Sequence, residues 1–231
     1  MTSALLELAS TDDARDFSTF LQRAKRLGCE HVAVSASSED GGIFSASVGV
    51  LTKQGLLDTS PNIIGGRTGH VTTTSWHGSI VVEIAAVLDR LARGTSAIAL
   101  PVPQPGVAWA GVSAPRDDWQ PVGLLSEDAL RSVARAGITA VADANGLGVR
   151  IVEEVRHSTW NAPLATLETG HIVPAGAAFA ALGLGFIDDE PLHSSPTGLA
   201  TSPQESERYM RVTVNGKWMR ISNERGHVLI R

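Results

Sequence analysis

The sequence predicts an α+β protein: mostly antiparallel sheet, about four helices packed on it, and a C-terminal β-hairpin. Three observations carry this. Apolar stripes at helical spacing and runs of alternating apolar and polar residues are interspersed along the chain, without a regular βαβ alternation. Asn215-Gly216, set between two alternating runs, is the strongest short-range hairpin signal in the sequence. The 231 residues are 43% hydrophobic and 19% charged, enough to bury a core without a disulfide or a metal. That length fits a single domain over 1–231, or two intimate lobes.

Taken in order, Thr11 or Asp12 can cap a first helix. Its stripe is Phe17, Phe20, Leu21, Ala24 and Leu27, and Gly28 stops it. Two strands follow at 30–37 and 42–51. In the second, Phe44, Ala46, Val48 and Val50 alternate with Ser45, Ser47 and Gly49. Residues 52–67 read as an irregular connection and 68–76 as β-prone. A second helix is expected after Ser79, carrying Ile80, Val81, Ile84, Val87, Leu88 and Leu91. Residues 95–103 and 106–113 read as strands. In the latter, both faces of "VAWAGV" are apolar, which makes Trp109 a core residue. The turn Pro115-Arg116-Asp117-Asp118 should then bring Trp119 back over the sheet edge. Ser126 caps a third helix that ends at Asn145-Gly146. "VRIVEEV" (149–155) reads as a strand, and Pro174 opens a small-residue helix over 174–186. Residues 187–208, rich in Ser, Thr, Pro, Asp and Glu, read as a flexible loop. In the closing hairpin a two-residue turn would oppose Val214 to Lys217 and Val212 to Met219. Val212, Val214, Met219 and Ile221 then share one face, and Arg211, Thr213, Trp218 and Arg220 the other.

Composition narrows the function classes. The formal net charge is −5, so a nucleic-acid partner would need a local basic patch, and no nucleic acid is expected. Cys29 is the one cysteine, which excludes an intrachain disulfide. The start lacks a basic, then apolar, leader, and no run approaches a membrane span. The expectation is a cytoplasmic protein with no membrane partner. Phosphate-binding loops, the nucleophile elbow, paired cysteines and the His-Glu-x-x-His zinc motif are all missing, so neither cofactor nor metal is expected.

Candidate site residues are correspondingly few. On a strand over 68–76, His70, Thr72 and Thr74 share a face. His77 and Ser79 precede the expected second helix, whose N-terminus could hold an anion. Arg116 and Asp117 stand at the tip of the tryptophan-flanked turn. His157 and Trp160, in an expected loop after a strand, could line a pocket with Arg156 and Asn161. Glu153 and Glu154, consecutive on a strand, face opposite sides and cannot form a carboxylate pair. Cys29 follows a helix end, where the dipole opposes thiolate formation.

Three phrases, Trp-Ala-Gly-Val-Ser-Ala-Pro-Arg at 109–116, Pro-Ala-Gly-Ala-Ala-Phe-Ala at 174–180 and Arg-Gly-His-Val-Leu at 225–229, stand in the chain. By them it resembles a family of conserved proteins of unknown function from high-GC Gram-positive bacteria. That resemblance implies no activity. Two readings of function remain open. One is a non-catalytic binding or protein-interaction protein. The other is an enzyme acting on a small anionic or acyl substrate near His70, His77 and Ser79.

Overall fold

A computed structural model describes residues 4–37, 42–53, 55, 58–76, 78–190 and 208–231. The protein is α+β with mostly antiparallel sheet and five α-helices among the described residues. It divides into two compact units, Met1–Ala114 and Pro115–Arg231.

In the first unit β1 (Leu5–Leu8) leads into α1 (Thr11–Arg26). The cap is Ser10, one residue earlier than the sequence suggests, and its hydroxyl accepts from the Asp13 amide. Then come β2 (His31–Ser37), β3 (Ile43–Leu51), β4 (Ile63–Thr74) and β5 (Ser79–Glu83). They pair antiparallel in the order β5-β2-β3-β4, and β1 joins β4 to the short β6 (Ala97–Ala99). Phe17 of α1 meets Phe44 of β3 edge-to-face at 5.1 Å, and Gly69 leaves room for the Phe44 ring.

Three expectations fail in this unit. Ile63–Arg67, read as irregular, belong to β4. Ser79–Glu83 form a strand, so α2 spans only Ile84–Leu91. Ile80, Val81 and Val82 are β-branched, and pairing with β2 takes them out of the helix that their spacing also allowed. Residues 106–113 are not a strand: Ala108–Gly111 make a single 3₁₀ turn and Trp109 is only half-buried, on the backbone of Gly49. Pro101, Pro103 and Pro105 just upstream have no N–H to give a ladder, which ends strand structure at β6.

In the second unit β7 (Gln120–Ser126) precedes α3 (Glu127–Asp143) and α4 (Val149–Asn161). A small hairpin, β8 (Pro163–Thr166) and β9 (Ile172–Pro174), leads to α5 (Gly176–Gly183). The small-residue helix thus starts after Pro174, which closes β9 instead. The chain ends in β10 (Tyr209–Asn215), β11 (Trp218–Asn223) and β12 (Gly226–Ile230), giving the sheet order β12-β11-β10-β7.

Residues 149–155 are a correction, for they are the first half of α4 and not a strand. Burial follows a helical period there: Val152, Val155, Thr159 and Trp160 face inward while Val149 and Ile151 face out. The closing hairpin forms with its turn one residue further on. Val214 opposes Met219 and Val212 opposes Ile221, around Gly216-Lys217, with Gly216 at φ +55. That register differs from the expected one by two residues, so both faces keep the predicted membership. In the region read as a flexible loop, Ile187 is buried and Asp188 is anchored by arginines, whereas 191–207 lie outside the described residues.

Candidate functional site

In the first unit the two described candidates, His70 and Ser79, do not come together. His70 lies on β4, exposed, with its backbone N–H donating to Asp13 Oδ1 (3.1 Å) and Nδ1 3.5 Å from the same oxygen. Burial works to raise the Asp13 pKa, but the Ser10 hydroxyl and the backbone and ring of His70 together hold it below the usual value. Ser79 opposes Ser35 on β2, Ser35 opposes Ser45 on β3, and Ser45 opposes Thr68 on β4. Three strand spacings of about 4.8 Å therefore hold Ser79 roughly 14 Å from Thr68. His70 is two residues further along, beyond hydrogen-bond reach of Ser79. No helix starts at Ser79, so the anion site expected at a helix N-terminus there is not formed. His77 lies outside the described residues.

Arg116 and Asp117 are exposed at a tight turn. Asp118 adopts φ +61, Trp119 Nε1 donates to the Pro115 carbonyl (3.1 Å), and the Asp117 carbonyl accepts from Asn215 Nδ2 (2.9 Å). The Arg220 guanidinium stacks 4.4 Å from the Trp119 ring. His157 is exposed on α4, not in a loop. Trp160 is buried at the end of the same helix, stacked on Phe179 of α5 at 4.6 Å and pressed on Gly137 of α3. It packs between three helices, while His157 on the same helix is exposed. Cys29 is buried, its thiol donates to the Gly49 carbonyl, and burial pushes its pKa up to about 11. Among the described residues no three His, Cys, Asp or Glu side chains group to hold a metal ion.

The second unit holds a concave polar groove of about 520 Å³. Its floor follows from the pairing register. Leu124 of β7, Arg211 of β10 and Ser222 of β11 are successive cross-strand neighbours, and directly opposed residues share a face. Tyr209, two residues before Arg211, lies on that face too. Leu124 is 61% exposed and Tyr209 45%, which leaves apolar surface beside the Arg211 guanidinium.

The rim is an ion-pair network. Asp188 takes Arg225 in a bidentate pair (2.6 and 2.7 Å) and Arg208 more loosely at 3.5 Å. The Arg225 hydrogen bonds, opposed by partial burial and aided by the charges of Arg208 and Arg131, hold Asp188 below the usual carboxylate range. Arg131 Nε donates to the Asp188 carbonyl. Glu127, buried at the start of α3, accepts from Asn223 Nδ2 (3.1 Å), and its own amide donates to the Arg208 carbonyl. Arg211 differs from the rim arginines: no ion pair or hydrogen bond joins its side chain to any described residue.

Sequence reasoning missed this site because its members stand at 124, 127, 188 and 208–225, with no spacing motif. The available signal was charge: residues 208–231 hold six Lys or Arg and one Glu, against an acidic whole.

Comparison with curated proteins finds no match. One family model does match, over residues 114–231, which coincides with the second unit and spans just over half of the chain. By that match the chain belongs to the family described as Domain of unknown function (DUF8185).

Proposed function

We propose that this is a non-catalytic binding protein of the bacterial cytoplasm, and that its second unit takes a small anionic ligand in the groove between Leu124, Arg211 and Ser222. The observation that carries this reading is Arg211, an exposed cation in a concavity, with no carboxylate partner among the described residues and beside exposed apolar surface. Arg208 and Arg225, which line the same groove, are both paired with Asp188. A volume of about 520 Å³ lies within the range of small-molecule sites.

The test is a thermal-shift screen of defined metabolites on the full chain, with hits located by amide chemical shifts. A ligand at 100 times its Kd adds about 2.7 kcal/mol of stability. Hits should shift resonances of Leu124, Arg211 and Ser222, and Arg211→Gln should remove the stabilisation. Hits that leave those residues unmoved and cluster around His70 would favour the enzyme reading.

A further inference from the structure

From the charge balance of the groove we infer the class of ligand, a monocarboxylate with an apolar body, held by Arg211 and Ser222 and laid over Leu124 and Tyr209. The inference rests on the groove being the binding site.

Charge decides the head group. Arg208, Arg211 and Arg225 line the groove with Glu127 and Glu224, and Asp188 at the rim pairs with Arg225. Asp188 holds Arg225 by two short bonds and Arg208 by one longer contact. Among the described residues Arg211 is the groove cation without an ion-pair partner, and it offers one fork of two parallel N–H donors. One carboxylate fills that fork in bidentate geometry. A phosphate dianion would bring a second negative charge beyond the one that Arg211 can offset, into a groove also lined by Glu127 and Glu224, and desolvating it there is unfavourable.

Geometry decides the body. Ser222 lies directly across the β10–β11 ladder from Arg211, so its hydroxyl can donate to the same head group. Leu124 lies directly across the β7–β10 ladder on the other side. Its exposed side chain, with the Tyr209 ring further along the face, offers apolar cover on one side of the head group. A ligand with a charge at one end and an alkyl or aryl body at the other covers that surface. A purely polar anion such as inorganic phosphate leaves it wet.

The experiment titrates the full chain with hexanoate and 3-phenylpropionate, with the matching neutral amides, with acetate and with inorganic phosphate. Heat and amide chemical shifts are both read. Hexanoate and phenylpropionate should bind in the groove, at least about tenfold tighter than their amides, since a charge-assisted pair contributes about 1.4 kcal/mol or more. Acetate and phosphate should be at least tenfold weaker than hexanoate. Arg211→Gln should abolish the preference for acid over amide. Leu124→Ser should weaken hexanoate and leave acetate unchanged, which a merely unfolded variant would not do. Amides as tight as acids, phosphate as tight as hexanoate, or no binding of either acid at millimolar concentration would overturn the inference. If other compounds from the metabolite screen still move Leu124 and Ser222, the groove stands as a site and only the ligand class is wrong. If every binder moves residues elsewhere, both fall.

Discussion

Residue by residue, the second unit keeps one imidazole where protonation is costly. His227 on β12 lies opposite Ser222, and burial, with the nearby Arg220 charge second, holds its pKa down to about 4. Arg220 is itself pushed down by burial, and its Nε has no hydrogen-bond partner among the described residues, so this part of the sheet tolerates further positive charge poorly. The sign follows from linkage. Between pH 6.5 and about 4 the unfolded chain protonates this histidine and the folded chain does not, so the unfolded state binds more protons and stability falls with falling pH. One such group contributes a slope of at most about 1.4 kcal/mol per pH unit. Urea unfolding at pH 7, 6 and 5, above the ordinary carboxylate range, should show progressive loss, and His227→Gln should flatten it. An equal slope in the variant would refute the assignment. Nothing local in Arg-Gly-His-Val-Leu gave this away: a histidine's burial depends on what the partner strands place around it.

For the elements, legibility tracked how many periods a pattern could show. α1 and α3 each run four turns or more with a clear stripe, and both were readable. "VRIVEEV" was not, because seven residues with four β-branched apolar positions satisfy either period. The deciding contact, Trp160 with Gly137 and Phe179, arises only once α3, α4 and α5 pack. The same error put His157 and Trp160 in a loop. Gly137→Ala tests the packing. In isolation alanine favours a helix by about 1 kcal/mol over glycine. Here a Cβ at position 137 would overlap the Trp160 ring, with Cη2 at 2.5 Å, and that ring is 4% exposed and stacked, so it cannot yield. Overpacking of this kind costs about 1–3 kcal/mol and outweighs the propensity gain. Denaturant unfolding should therefore show Gly137→Ala less stable than the parent; a more stable variant would mean that α4 packs elsewhere.

On the scale of the whole molecule, the sequence favoured a single domain and left two lobes open, for a physical reason. Unit boundaries usually show as Gly- or Ser-rich linkers, but the division falls between Ala114 and Pro115, inside a stretch flanked by Trp109 and Trp119. A proline-led turn ends one unit and begins the next without the composition shift that would mark it. The second unit nonetheless has its own core: Leu130 and Ala134 of α3, Trp160 of α4, the small residues of α5, Phe186, and Met210, Val212 and Ile221 of the sheet are all buried. Its central strand β10 is paired on both sides, by β7 and by β11, and β7 and β10 are far apart in sequence, so the sheet cannot form unless the segment is kept whole. The family match covers this same stretch. Expressed alone, residues 115–231 should fold to a single cooperative urea transition, and should keep the groove's response to hexanoate. A fragment that ends before β10 leaves β7 without its partner, and should give no transition. If residues 115–231 instead melt gradually, with loosened tertiary signals, their core needs the rest of the chain. The family boundary would then mark shared sequence without marking an autonomous folding unit.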